Sequence, residues 1–278
     1  MAERRLIRLP RLFRWFALAW FFCAGLGAGH ASSLVPARPL LVRALPPCPK
    51  KCEWIAIQGV IDKSTPQAFD QLLALLGKLK PPVFFNSGGG DVAAAMALGE
   101  SIRAHGLDTA VAATRLRPAS GPILPGVVAT APRGEVVLSA RALCASACTL
   151  AFAGGVRRHA PLETSLGLHE MIRPEQDVPQ TVKVFETKTW MQDGHVVARA
   201  TQLVREETVL RHVARQKTPD ADYRLVAAYF AKMGVDAQKA VALMKSASPQ
   251  KMDWLTPEQI LATHLATERK RADALLDF

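Results

Sequence analysis

The stretch Val83-Phe84-Phe85-Asn86-Ser87-Gly88-Gly89-Gly90-Asp91 decides how this chain folds. Three large apolar residues in a row suit a strand buried on both faces, and the glycines end it. Asp91 is a helix-capping residue type, and Val92, Ala95, Met96 and Ile102 follow on one helical face. The stretch therefore predicts a strand running through a glycine turn into a helix over 92–104. Outward from it, Glu53 to Gly59 reads as a shorter strand. Ser64-Thr65-Pro66 then starts a helix whose Phe69, Leu72, Leu73 and Leu76 fall at i, i+3, i+4 and i+7. Asp108 to Ala113 is a third strand. Strands alternating with helices predict parallel pairing and an α/β fold.

Beyond this core the pattern loosens. Residues 115–134 are rich in proline and glycine, and a loop of this kind reads as a lid, a binding loop or disorder. Glu135 to Leu138 resumes a strand, Ala145 to Ala153 reads as a short buried helix, and Ser165 to His169 as a last short strand. From Val182 to about Ala214 the pattern is read as helical, with a weak point at Gly194. Further helices are expected at 223–233, 236–245 and 257–265.

The first residues carry a different message. Arg4, Arg5, Arg8, Arg11 and Arg14 precede an apolar run, and no Asp, Glu, Lys or Arg occurs between Arg14 and Arg38. This is the layout of a secretory signal with a small-residue cleavage site near Gly29 and Ala31; a retained membrane anchor is the competing reading. Either places the remainder, residues 32–278, in the periplasm or otherwise outside the cytoplasm, anchored to the membrane if residues 1–31 are kept. Residues 32–47, with Pro36, Pro39, Pro46 and Pro47, read as a linker, and 48–278 as the folded domain.

The net charge is +11, with 49% hydrophobic and 21% charged residues. Much of the excess lies in the first residues and the rest is scattered, for example at Arg157-Arg158. No basic stripe interleaves with aromatics, so nucleic acid is not an expected partner. Cys48/Cys52 and Cys144/Cys148 are two pairs of equal spacing without matching histidines. They are candidate disulfides in an oxidising compartment, with free thiols as the alternative, and no metal site is read from them.

Two more short stretches bear on chemistry. Cys144-Ala145-Ser146-Ala147-Cys148 puts a serine with small neighbours at a loop-to-helix junction, where it is either a nucleophile or an N-cap. His169 ends a short apolar run. His159, His195 and His212 have no motif around them and read as surface residues.

Taken together, Asn86-Ser87-Gly88-Gly89-Gly90, Thr109-Ala110-Val111, Ser146-Ala147 before Ala153-Gly154-Gly155, and His169 resemble the Clp proteolytic-subunit branch of the ClpP/crotonase superfamily, especially its exported members. The resemblance covers roughly residues 53–170 and returns over Met252–Thr267. It implies a spiral of repeated β-β-α units around a parallel sheet, here with a helical C-terminal extension from about residue 178. It also implies an exported serine-type peptidase needing no cofactor, with a peptide or protein substrate and room for a homo-oligomer. Ser146 would attack the carbonyl, His169 would take its proton, and the N–H groups of Gly89, Gly90 and Ala147 would form the oxyanion hole. Asp253 is the candidate third member, one place from the ungapped match at Met252. Gly88 stands where the family usually has proline. Two other functions share this layout: an inactive peptide- or protein-binding module, and a crotonase-type acyl-thioester enzyme. A serine–lysine variant would use Lys183 or Lys188.

Overall fold

Helices and strands alternate along the chain much as the apolar periodicity predicts, up to residue 173. The computed structural model describes residues 35–44, 53–116, 133–137, 142–161, 165–173 and 175–276. In chain order these form β1 (Leu40–Ala44), β2 (Glu53–Ile61), α1 (Thr65–Leu76), β3 (Val83–Gly90), α2 (Val92–Ala104), β4 (Thr109–Val111), β5 (Ala113–Leu116), β6 (Arg133–Val137) and β7 (Leu143–Ala145). Then follow α3 (Ala147–Ala153), β8 (Arg158–His159), β9 (Ser165–Leu168), β10 (Ile172–Arg173), β11 (Gln176–Gln192), β12 (His195–Val213) and β13 (Gln216–Lys217). The chain closes with α4 (Asp220–Lys232), α5 (Ala237–Ser246), β14 (Asp253–Trp254), α6 (Pro257–Ala262) and a 3-10 turn at Ala272–Leu275.

The sheet is mixed and mostly parallel at its centre. Strand β3 pairs in parallel with β2 on one side, and its other side is shared. Its first three residues pair with β4, whereas Ser87 pairs with Cys144 of β7. From there β7 pairs in parallel with β9, and β9 antiparallel with β14. The branch at β3 splits the sheet into two leaves, and the glycine turn lies where they part. This arrangement brings residues 86–90 beside residues 144–147.

Both faces of the central strands are covered, which explains their unbroken apolar runs. Ile55, Ile57, Val83 and Phe85 enter the main core with Leu98, Ile102 and Phe152 from the helices. Trp54 and Phe84 face the other way, stacked at 5.8 Å between centroids, and are covered by Ala272, Leu275 and Leu276. Fully burying such a side chain contributes about 1.5–3 kcal/mol. Asp91 caps α2 as predicted, its side chain accepting from the Ala94 N–H at 2.8 Å.

Three expectations need correction. The segment from Val182 to Ala214 is an antiparallel ribbon, not a helix. Its valines and threonines lose rotamer freedom in a helix but fit a strand. Gly194, read as a weak point in a helix, forms with Asp193 the turn of a hairpin. Both have positive φ, 50° and 79°, as a two-residue hairpin turn requires. Helices do follow, but only from Asp220. Residues 32–47 are not merely a linker, because β1 pairs antiparallel with β2 and the Ala37 N–H donates to Val60 O at 2.7 Å. Pro36 and Pro39 precede this strand, which lies between β2 and β6, instead of breaking it.

The third correction is His159, which is 2% exposed and buried on β8, not on the surface. Its Nε2 has no hydrogen-bond partner and lies 3.8 Å from Glu268 Oε2. Burial pushes its pKa below the ordinary 6.5. Beside it Arg158 is also buried and donates to the carbonyls of Gly155, Met233, His264 and Leu265. Burial, reinforced by repulsion from Arg103, lowers its pKa to about 10. These bonds tie the C-terminal segment to the sheet.

Candidate active site

Ser146 sits between β7 and α3, held in place by backbone bonds. Its N–H donates to Gly167 O of β9 at 2.8 Å, and its carbonyl accepts from the N–H and hydroxyl of Thr149. Its backbone has φ 55° and ψ −129°, a sparsely populated conformation for a residue with a side chain. It occupies the N-cap position of α3, yet its hydroxyl makes no capping bond. Instead Ser146 Oγ lies 2.7 Å from His169 Nε2. The other ring nitrogen, Nδ1, is 2.7 Å from the Glu170 carbonyl oxygen. A carbonyl can only accept, so Nδ1 carries the proton and Nε2 accepts from the serine hydroxyl. That is the tautomer a general base needs.

The glycine turn closes against this serine. Gly89 has φ 106°, and a Cβ there would come within 2.7 Å of Ala145 O, 2.8 Å of Ser146 Cβ and 2.9 Å of Ala147 N. Only glycine lets the two turns approach so closely. Gly90, with φ 145°, packs against the Ile61 backbone just as tightly. Ser87, 2% exposed, braces the turn by donating to Gly59 O at 2.6 Å and accepting from Gly89 N–H at 3.1 Å. The Gly89 amide is therefore taken up inside the turn. The Asp91 N–H donates to Ile61 O of β2, so the Gly90 N–H, one residue earlier, points to the opposite side. Ala147 opens α3, and no preceding helical turn takes its N–H. Asn86 adds a brace between the two leaves, its Oδ1 accepting from Leu143 N–H at 3.2 Å.

Asp253 is placed differently. It stands opposite Leu168 across the β14–β9 pair, and Trp254 stands opposite Gly167. Continuing that register puts Met252, not Asp253, opposite His169. Directly opposed residues share a face, and neighbours along a strand alternate. Asp253 thus shares the face of buried Leu168, and both His169 nitrogens already have other partners. Lys183 pairs with Glu206 on the exposed ribbon, where Lys188 also lies. The carbonyl of Glu170 is the orienting group that the sequence reading missed. A backbone oxygen has no residue-type signature, so no motif could have revealed it.

Cys144 and Cys148 bracket Ser146 with their Sγ atoms at bonding distance and Cα atoms 5.2 Å apart. Cys48 and Cys52 lie outside the described residues, as do residues 117–132 of the proline- and glycine-rich loop and the whole N-terminal segment 1–34. Among the described residues no helix is long and apolar enough to cross a membrane, and no cluster of His, Cys, Asp or Glu could hold a metal. A cavity of about 720 Å³ opens beside the turn, reaching from Gly90 to Met171. Ile61, Val92, Met96, Leu225 and Val226 make its wall largely apolar, with Lys63 and Arg173 also lining it.

The branched strand, the glycine turn at its end and the serine turn beside it define an α/β fold with a mostly parallel central sheet, the class that the sequence predicts. Its site pairs a serine with a histidine. No family model matches the chain, and no curated protein matches it. Among solved structures, the 1510-N membrane-bound stomatin-specific protease matches over 84% of this chain and 82% of that one, at 16% identity and TM-score 0.43. A second structure of that protease, in complex with a substrate peptide, has 17% identity, TM-score 0.42 and coverage of 84% and 77%. ClpP1 from Listeria monocytogenes has 11% identity, TM-score 0.41 and coverage of 85% and 93%. These are distant likenesses in shape; the strand order and turns described above carry the fold assignment.

Proposed function

We propose that this chain is a serine-type peptidase working through a Ser146–His169 pair. The observation that carries the reading is the 2.7 Å contact between Ser146 Oγ and His169 Nε2, made by a serine in N-cap position that does not cap. Ser146 Oγ attacks the substrate carbonyl carbon while its proton passes to His169 Nε2. The resulting imidazolium keeps its Nδ1–H bond to Glu170 O. The amides of Gly90 and Ala147 receive the oxyanion, an interaction that strengthens as charge develops and supplies several kcal/mol. His169 then returns the proton to the departing amine, leaving an acyl-Ser146 ester. Water attacks that ester with His169 again as base, releasing the acid and restoring both residues. The apolar cavity beside Gly90 suits a large apolar side chain of the substrate.

The reading extends to location. The arginine-rich start and the uncharged run after Arg14 support export, and the paired sulfurs of Cys144 and Cys148 fit a disulfide formed in an oxidising compartment. Such a bond would brace the turn that presents Ser146.

One observation favours a second reading. His169 meets a carbonyl and not a carboxylate, which fits a relative that binds peptides without cleaving them. Labelling of the purified chain with a fluorophosphonate probe separates the two. A peptidase is labelled at Ser146 and loses labelling in Ser146→Ala. An unlabelled parent, or a mutant labelled as strongly as the parent, would overturn the peptidase reading.

A further inference from the structure

Glu170 and Met171 lie between β9 and β10 and belong to neither strand. The peptide group they share is nevertheless fixed at both ends. Its carbonyl oxygen, Glu170 O, lies 2.7 Å from His169 Nδ1. Its N–H, that of Met171, donates to the hydroxyl of Tyr223 at 3.0 Å. One peptide plane therefore links the ring of His169 to a side chain of α4.

Tyr223 is itself firmly held. It is 3% exposed, and with Val226, Tyr229 and Phe230 it forms the buried face of α4. Lys245 of α5 sits over its ring, Nζ 4.6 Å from the centroid, and is fixed there by Asp220 at 2.6 Å. Around the contact, Asp222 pairs with Arg173 of β10, and Lys217 of β13 lies 3.7 Å from Glu170 Oε1. Burial raises the pKa of the Tyr223 hydroxyl above the ordinary 10, so at neutral pH it stays an O–H whose oxygen accepts. A buried hydroxyl beside a loop amide often does no more than satisfy that donor. Here the amide belongs to the group that His169 Nδ1 meets, which makes the contact part of the site.

Two physical effects follow. A peptide group is planar and cannot turn without breaking one of its two bonds, so the bond to Tyr223 keeps Glu170 O in line with Nδ1. The bond also polarises the group, and hydrogen bonds in a chain strengthen one another by roughly 10–30% each. Its carbonyl oxygen becomes more negative, which suits an imidazolium forming beside it. We infer that Tyr223 is a positioning residue for His169, and that the Glu170–Met171 peptide it anchors takes the place of a triad carboxylate. Its part in turnover rests on the peptidase reading, whereas its hold on the ring does not. The serine proton still passes to Nε2 and back, and Tyr223 transfers none.

The test compares Tyr223→Phe with Tyr229→Phe in the full chain in mild detergent, with circular dichroism checking the fold. Tyr229 lies on the same helix and donates to Leu150 O at 2.7 Å, so it controls for the loss of one buried bond. Two quantities are read: the rate of labelling by a fluorophosphonate, and the tautomer of His169 from nitrogen-15 NMR, assigned with His169→Ala. Tyr223→Phe should slow labelling about tenfold and raise the Nε2–H share of His169 about fivefold, the scale of one lost hydrogen bond. Tyr229→Phe should leave both within about twofold of the parent. In the parent itself, the Met171 amide should exchange with solvent at least about a hundredfold more slowly than an open-chain amide. Free exchange there would overturn the inference, as would a Tyr223→Phe ring that keeps the parent tautomer. So would a labelled parent whose rate Tyr223→Phe leaves unchanged, or equal losses in the two variants. A parent that is never labelled, yet whose His169 changes tautomer in Tyr223→Phe, would sink the peptidase reading and uphold the hold of Tyr223 on the ring.

Discussion

The leaf that carries the site and the ribbon that leaves it use β-structure in opposite ways. Strands β3, β7 and β9 are short and largely buried, and side chains such as Ser87 and Asn86 bind the backbone of a neighbouring element. Strands β11 and β12 are several times longer and have no buried residue. In the leaf, each strand is fixed on both sides and both faces, so a turn such as 144–147 can hold a strained serine within hydrogen-bond reach of a histidine. In the ribbon, only one partner fixes each strand, and the free edge is available to something else. Precision in the leaf comes from this enclosure.

Breaking the leaf should cost most. Ser146→Ala and His169→Ala should each lower peptide turnover roughly 10⁴-fold or more, and the double mutant should be little worse than either, since the pair acts as a unit. Turnover assays on folded protein check this. Independent, multiplying losses would mean that the two side chains do not share a step. Gly89→Ala comes next, because its Cβ would sit within 2.9 Å of three atoms of the serine turn at a φ that favours glycine. Chemical denaturation should show a loss of roughly 2 kcal/mol or more, together with lost probe labelling.

Breaking the ribbon should barely touch the leaf. Replacing residues 177–212 with a short glycine-rich link between the paired ends Gln176 and Val213 should shift the melting temperature of the remaining protein by less than about 3 °C. A larger drop in calorimetry would show that the ribbon stabilises the core.

A subtler change concerns His159. Burial is the main cause of its lowered pKa, with Arg271 O and Glu268 opposing. The unfolded chain therefore takes up the proton first as pH falls. The stabilising contribution is whole above the ordinary 6.5 and is lost as pH drops below it toward the lower folded value. His159→Phe should flatten the acid side of a melting temperature–pH curve. An unchanged slope would mean that another group controls it. The smallest effect is expected at Asp253, where Asp253→Asn should keep turnover within about threefold of the parent, since both nitrogens of His169 are engaged elsewhere. A collapse there would return Asp253 to the site and place Glu170 O in a secondary role.

Much of the leaf was legible in advance because local rules and tertiary packing agree there. Val83-Phe84-Phe85 is apolar throughout because both faces are covered, and Asp91 caps the helix that its spacing announces. The ribbon was misread because valine and threonine interspersed with charges satisfy a helical spacing almost as well as a strand one. The Asp193-Gly194 pair was the discriminating signal. His159 was misread because a short polar-looking stretch, Arg157-Arg158-His159, gives no periodicity from which to infer burial.

The sequence by itself determined the alternation of strand and helix up to residue 173, the two small-residue turns, the serine that one of them presents, and the histidine that directly follows β9. These follow from local chemistry: apolar runs, caps and residues that tolerate close approach. Only the tertiary structure decided that the two turns meet, because the branching of β3 is a pairing choice made between distant segments. It also decided which group orients His169. The Glu170 carbonyl meets His169 Nδ1, and the register of the adjacent strand β14 sets Asp253 opposite Leu168 and not opposite His169.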